Sequence, residues 1–226
     1  MEDLVVLDNL KVKINKDKLI NKLCIKTKDE QEFIKIFNRV ENIANPKALF
    51  AQYNIKYKAK DYVIVEDIKF CSRILAVNFK DVYKIYPYLA TSGLEIEKWS
   101  EQIDDFLTKY WVDIIKEEIL SHTEKELFLK IDNENNISKA AHMNPGSLYD
   151  WPITEQKKLF ALLGDQVSKI GISLTNSMLM YPTKSVSGIR FPIDVDYENC
   201  QLCKKLNCSG RSASYQPNLL EEKYNK

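Results

Sequence analysis

Histidine is nearly missing from this chain: His122 and His142 are the only two in 226 residues, which excludes a metal site built from several imidazoles. Glycine and proline are scarce, at 6 and 7 residues, so a collagen-like or wholly disordered chain is excluded. Neither sign of charge dominates, with 33 Lys and Arg against 32 Asp and Glu. No overall field exists to hold phosphate backbones or anionic lipid, and neither nucleic acid nor membrane is an expected partner. No apolar run approaches the ~18 residues of a membrane span. The opening MEDLVVLDNLKVKIN carries acid where an export signal needs base, and its apolar run LVVL is short, so the expected setting is cytoplasmic. Five cysteines, an odd number, suit free thiols or metal in a reducing compartment better than a disulfide framework. A catalytic triad, a phosphate-binding loop and a paired-carboxylate signature are all lacking.

What remains is an ordinary globular composition, 45% hydrophobic and 29% charged, in a chain long enough for one large domain or two small ones at roughly 100–200 residues each. Spacings of three and four among Leu19, Ile20, Leu23, Phe33, Ile36, Phe37, Val40 and Ile43 predict helix over 17–46, stopped by Pro46. From Ala48 to Phe79 the stretches ALFAQYNIKY, DYVIVEDIKF and RILAVNF are aromatic, branched and of strand length. Residues 93–120 predict the longest helix, with Leu94, Trp99, Ile103, Phe106, Leu107, Tyr110, Ile114 and Leu120 on one broad face. After about residue 130 a polar stretch reads as a long surface loop. Thr154 to Leu163 predicts a short helix closed by Gly164. GISLTNSMLM and SVSGIRF predict two extended segments joined by a tight connection.

Two pieces stand out. In the first, Asn144-Pro145-Gly146 is followed by Ser147, Tyr149, Asp150 and Trp151-Pro152. Proline fixes one dihedral and glycine removes a side chain, so the backbone can turn sharply and come close to a ligand, although a turn before a helix explains it equally well. In the second, Ser185, Val186, Ser187 and Gly188 put small and hydroxyl-bearing residues along a strand. That pattern leaves room for a ligand or, alternatively, for a crowded strand crossing.

In this order and spacing, Pro-Gly, then Asp-Trp-Pro, a short helix, IGISLTNSMLM with its proline, and KSVSG resemble the activation domain of cobalamin-dependent methionine synthase, particularly its free-standing bacterial relatives. The likeness is strongest over about 140–191 and extends more weakly through SRILAVNF and GLEIEKWSEQ. It implies a single α+β domain, a mostly antiparallel curved sheet with flanking helices. It also implies a protein that binds S-adenosylmethionine and presents the methyl group to a corrinoid held by a separate methionine synthase or other corrinoid protein. There, an electron donor such as flavodoxin or ferredoxin reduces inert Co(II), and the resulting Co(I) attacks the sulfonium methyl in line. Co(I) is already a strong nucleophile, so the protein contributes placement and exclusion of water. Such a chain is a component of a methyltransferase system rather than a complete enzyme.

Residue by residue, the resemblance assigns Asn144, Pro145, Gly146, Ser147 and Tyr149 to the ligand-binding turn, and Ser185, Val186, Ser187 and Gly188 to a second wall. Glu97 corresponds to a glutamate that reaches the ligand's amino group, and alternatively lies on a solvated helix face. His142 stands where the family carries an arginine for the ligand's carboxylate. A neutral imidazole does not replace a bidentate guanidinium, so His142 gives a single hydrogen bond, another cation takes over, or affinity falls. Arg190, where the family has an aromatic residue, is a candidate for the missing charge. The turn is one residue longer here, which shifts Tyr149 relative to the family's aromatic position.

The cysteine cluster, Cys200-x2-Cys203-x4-Cys208, reads as three thiolates of a zinc or iron-sulfur site, with Cys24, Cys71, a carboxylate or a partner supplying a fourth ligand, or else as free thiols in a mobile tail. The expected organisation is therefore an activation-domain-like unit over 1–195 and a cysteine-containing tail over 196–226. The alternative function is a ligand-free, cysteine-cluster metal-binding or protein-interaction module on the same fold.

Overall fold

The computed structural model describes residues 4–8, 10–194, 197–205, 207–208 and 210–224. The expected boundary between residues 195 and 196 lies outside them. After a short strand β1 (Val5–Leu7), helix α1 (Lys16–Lys22) begins where the Asn15 side chain accepts a bond from the Lys18 amide at 2.8 Å. The predicted helix over 17–46 is two helices, because Cys24 adopts a positive φ of 49° between α1 and α2 (Thr27–Ile43). α2 buries Phe33, Phe37 and Val40.

Four strands follow: β2 (Lys47–Phe50), β3 (Tyr53–Lys58), β4 (Tyr62–Val65) and β5 (Ile68–Cys71). The third strand-like stretch, RILAVNF, is instead helix α3 (Arg73–Asn78). Its branched residues suit a strand, but Ser72 caps the Leu75 amide at 3.0 Å and so offers the backbone a helical start.

The long strand β6 (Lys84–Thr91) is the axis of the sheet. One edge pairs with β2 over its second half and with β3 at its start, and the other edge pairs with β10 (Ser185–Pro192), all antiparallel. β1 extends β2, β4 and β5 extend β3, and β7 (Ala140–Met143) extends β10. Because β2 and β3 leave a single edge of β6 in succession, the sheet divides and curves. This is the expected α+β class: one antiparallel sheet with helices packed on it.

Residues 93–120 do not form one helix. α4 (Leu94–Ser100) ends, and α5 (Phe106–Glu134) restarts where Asp105 accepts from the Thr108 amide at 2.7 Å. The restart resets the helical phase, so α5 buries Trp111, Val112, Ile115 and Ile119, while Phe106, placed on the apolar face by unbroken periodicity, is 85% exposed. α5 also continues to Glu134 and β7 starts at Ala140, which shortens the expected surface loop.

The chain is completed by a 3-10 turn (Ile153–Glu155) leading into α6 (Gln156–Leu163), a hairpin of β8 (Ser173–Leu174) and β9 (Met180–Tyr181), and α7 (Asn199–Leu202). One apolar core lies between the sheet and α3 with α6, a second among α1, α2, α4 and α5, and a third between the other sheet face and the latter half of α5. No described helix is long and apolar enough to cross a membrane.

Candidate functional site

The Pro-Gly turn hangs from the end of β7, beside β10. Ser147 donates its amide to the Asn144 carbonyl at 3.2 Å and Gly146 donates to the Trp151 carbonyl at 2.8 Å, closing a compact loop. Gly146 has φ of +84°, and a Cβ there would also meet Ile153 at 3.2 Å. Trp151 anchors the loop with no exposed surface. Asp150 ties it to the amino terminus of α3, where one carboxylate oxygen accepts from Ser72 Oγ at 3.1 Å and from the Ile74 amide at 2.9 Å. Pro145 and Gly146 therefore stand on a braced corner, with Tyr149 70% exposed at its tip.

Asn144 joins the turn to the second predicted wall. Its Nδ2 donates to the Ser187 carbonyl and to Tyr88 Oη, both at 2.9 Å, and its Oδ1 accepts from Asn199 Nδ2 at 3.0 Å. Gly188 lies against this junction: an added Cβ would come within 2.7 Å of Asn144 Nδ2, the Met143 carbonyl and Tyr88 Oη. The smallness of Gly188 thus serves the packing of Asn144. The neighbouring Ser187 hydroxyl points to the opposite face and donates to Gln156 at 2.9 Å. Val186 packs beside the third core.

Ser185 and Glu97 form a separate group at the other end of the strand, about 10 Å from Gly188 at ~3.3 Å per residue. Ser185 Oγ donates to the Pro182 carbonyl at 2.8 Å. Glu97 is 3% exposed, not on a solvated face. Its carboxylate accepts from Lys116 Nζ at 2.9 Å and from Thr183 Oγ1 at 2.7 Å. Burial opposes its charge, but these donors outweigh burial and hold its pKa below the usual value. Lys116 lies one helix away and Thr183 in a loop, so no sequence spacing pointed to either.

His142 and Arg190 are partners across β7 and β10. Burial lowers the pKa of His142 and favours the neutral ring, which sits 5.0 Å from Phe128. Arg190 is committed elsewhere: Nε donates to Asp132 at 2.7 Å, the second guanidinium nitrogen closes a bidentate pair, and the group lies over the Phe128 ring. It is an internal clamp between β10 and α5.

The cysteine segment folds around a guanidinium. Arg211 donates to the carbonyls of Cys200, Cys203, Lys205 and Ala213 at 2.7–3.0 Å. Among the described residues no three metal-ligating side chains are grouped to hold an ion. The loop's carbonyls instead converge on Arg211, and Cys208 is exposed, an arrangement in keeping with the free-thiol alternative for Cys200, Cys203 and Cys208. Burial would raise the Cys200 thiol, but the Ser212 amide and the Arg211 charge outweigh it and keep the pKa below the ordinary value. The segment also comes back against the Pro-Gly turn. Ser147 and Tyr149 share a cavity of about 410 Å³ with Leu202, Cys203, Lys204 and Tyr215.

Comparison with known proteins agrees with this architecture. Residues 145–204 match the family model described as vitamin B12 dependent methionine synthase, activation domain. The crystal structure of the MetH reactivation domain bound to AdoHcy is similar with a TM-score of 0.62 and 14% sequence identity, covering 87% of this chain and 81% of that one. No curated protein matches in sequence. From the Pro-Gly corner to the cysteine segment the chain carries the sequence pattern of the vitamin B12 dependent methionine synthase activation domain, on the fold of the MetH reactivation domain.

Proposed function

We propose that this protein binds S-adenosylmethionine and serves the reductive methylation of cobalamin on a separate methionine synthase or other corrinoid protein, in the cytoplasm, with a flavodoxin or ferredoxin as electron donor. The observation that carries the reading is the coincidence of the matched segment, 145–204, with the braced turn at Pro145 and Gly146, on the fold of a domain crystallised with AdoHcy. Bound, the sulfonium nucleoside supplies an electrophilic methyl group. The chain's own part is to hold that group still and keep water from it.

Its residues divide into a contact set and a supporting set. Gly146, Ser147 and Tyr149 are exposed and meet the ligand, and the buried Pro145 fixes the backbone that carries them. Asn144 holds the corner to β10 through the Ser187 carbonyl with Gly188 leaving it room, Arg190 clamps β10 to α5, His142 pairs with Arg190 across β7, Val186 packs against the third core, and Glu97 with Ser185 fixes the start of that strand. The Glu97 carboxylate and the Ser185 and Ser187 hydroxyls are bonded to protein partners, so positioning rather than acid–base chemistry is the role they suit.

Calorimetric titration with S-adenosylmethionine and with S-adenosylhomocysteine tests the reading. Saturable heat and a raised melting temperature are expected. Absence of both at millimolar ligand refutes it.

A further inference from the structure

We propose that the cysteine segment is part of the ligand site: it forms the outer wall of the S-adenosylmethionine pocket, and Lys204 supplies the cation for the ligand's carboxylate. The inference rests on the preceding function and adds the location and charge chemistry of the pocket. Two observations force the ligand to this side of the turn. First, the inner side is full. Between the turn and β10, Asn144 Nδ2 already contacts Tyr88 and Ser187, and even a methyl group on Gly188 would collide at 2.7 Å. A nucleoside has no space there. Second, the outer side is open and of the right size, since the cavity of about 410 Å³ between Tyr149 and Tyr215 lies within the ~300–1,000 Å³ of small-molecule sites.

The outer wall is built and held. Asn199 bonds to Asn144, the Gln216 amide donates to the Gln201 carbonyl at 2.8 Å, and Arg211 gathers four carbonyls of the segment. A wall fixed in advance lowers the ordering cost of binding. Its chemistry also suits the ligand. Tyr149 and Tyr215 offer aromatic surface to adenine, and Lys204 lines the same cavity.

The charge argument is one of elimination. His142 is buried and favours its neutral form, and Arg190 is spent on Asp132. Lys204 is exposed, and among the described residues it is in no ion pair. It is the cation facing the cavity that is available to an anionic group.

Cys203, which lines the cavity, is a built-in reporter. The experiment alkylates the full-length protein with N-ethylmaleimide, with and without saturating S-adenosylhomocysteine, and follows each cysteine by peptide mass spectrometry. Cys203 should slow about tenfold or more, while the exposed Cys24, Cys71 and Cys208 keep their rates. In parallel, Lys204→Met should weaken S-adenosylhomocysteine about tenfold, Lys204→Arg should restore most of that loss, and methylthioadenosine, which lacks the amino-acid portion, should bind both variants alike. If wild-type protein binds S-adenosylhomocysteine but Cys203 is not protected, or Lys204→Met binds normally, the inference is overturned and the function stands. If wild-type protein binds nothing, the function falls and takes the inference with it.

Discussion

Lys116 and Glu97 show how much depends on a single pair. Both side chains are buried and bonded to each other, with Ser100 and Thr183 completing the cluster. Lys116→Met strands a buried carboxylate and should cost about 3 kcal/mol or more. At ~2–4 °C per kcal/mol for a domain of this size, the melting temperature should drop about 10 °C. Combining it with Glu97→Gln should recover most of the loss, because the uncompensated charge is then gone. The acid dependence follows from the lowered pKa of Glu97. Its stabilisation is fully present above the ordinary 4.5 and disappears as pH falls through its lower folded value. Denaturant midpoints of wild type and the double variant should therefore draw together as pH is lowered stepwise from 7 through and below 4.5. The resemblance singled out Glu97 in GLEIEKWSEQ as a ligand contact, but its burial against Lys116 was not legible, because a buried lysine and a surface lysine look alike in a sequence.

At the scale of elements, the junction of α3 with the Pro-Gly turn decides where the site stands. Asp150 accepts two bonds at the start of α3, so the Asp-Trp-Pro stretch belongs to the turn and to a helix cap some 75 residues away in sequence. Asp150→Ala should cost about 1–2 kcal/mol. The same substitution should weaken S-adenosylhomocysteine, as read by calorimetry, because the corner carrying Ser147 and Tyr149 loses its brace. Local pattern missed α3: Ile74, Leu75 and Val77 have strand-like texture, and the cap that makes them helical comes from Ser72 and from a distant carboxylate. It also missed the end of α4. Heptad-like spacing continues through 101–105, and the new phase begins only because Asp105 caps the Thr108 amide. Where the stop signal directly follows the run, as with Gly164 after α6, the reading and the structure coincide.

In the molecule as a whole, the last described residues are joined to the body of the fold. Tyr224 is 1% exposed in the main core, its hydroxyl donates to Asn78 Oδ1 at 2.9 Å, and Arg73 donates to its carbonyl. Tyr224→Ala should destabilise the protein by about 3–5 kcal/mol and lower the denaturation midpoint. Tyr224→Phe should cost only about 1 kcal/mol, the worth of one hydrogen bond. A detached tail would show neither effect. The tail expected over 196–226 gave no sign of this anchor because Tyr224, set among charged residues, carries no periodicity, and its burial comes from packing beside Asn78 and Tyr197.

The amino acids alone determined the turn and strand that resemble an activation domain and, through that resemblance, the class of fold, since short motifs and hydrophobic spacing act locally along the chain. Only the tertiary structure decided which side of the turn is open, that Arg190 is held by Asp132, that Glu97 is buried with Lys116, and that the cysteine loop closes on Arg211 beside the turn. Those outcomes are set by which residues distant in sequence compete for the same space and the same hydrogen bonds, and that competition exists only once the chain has packed.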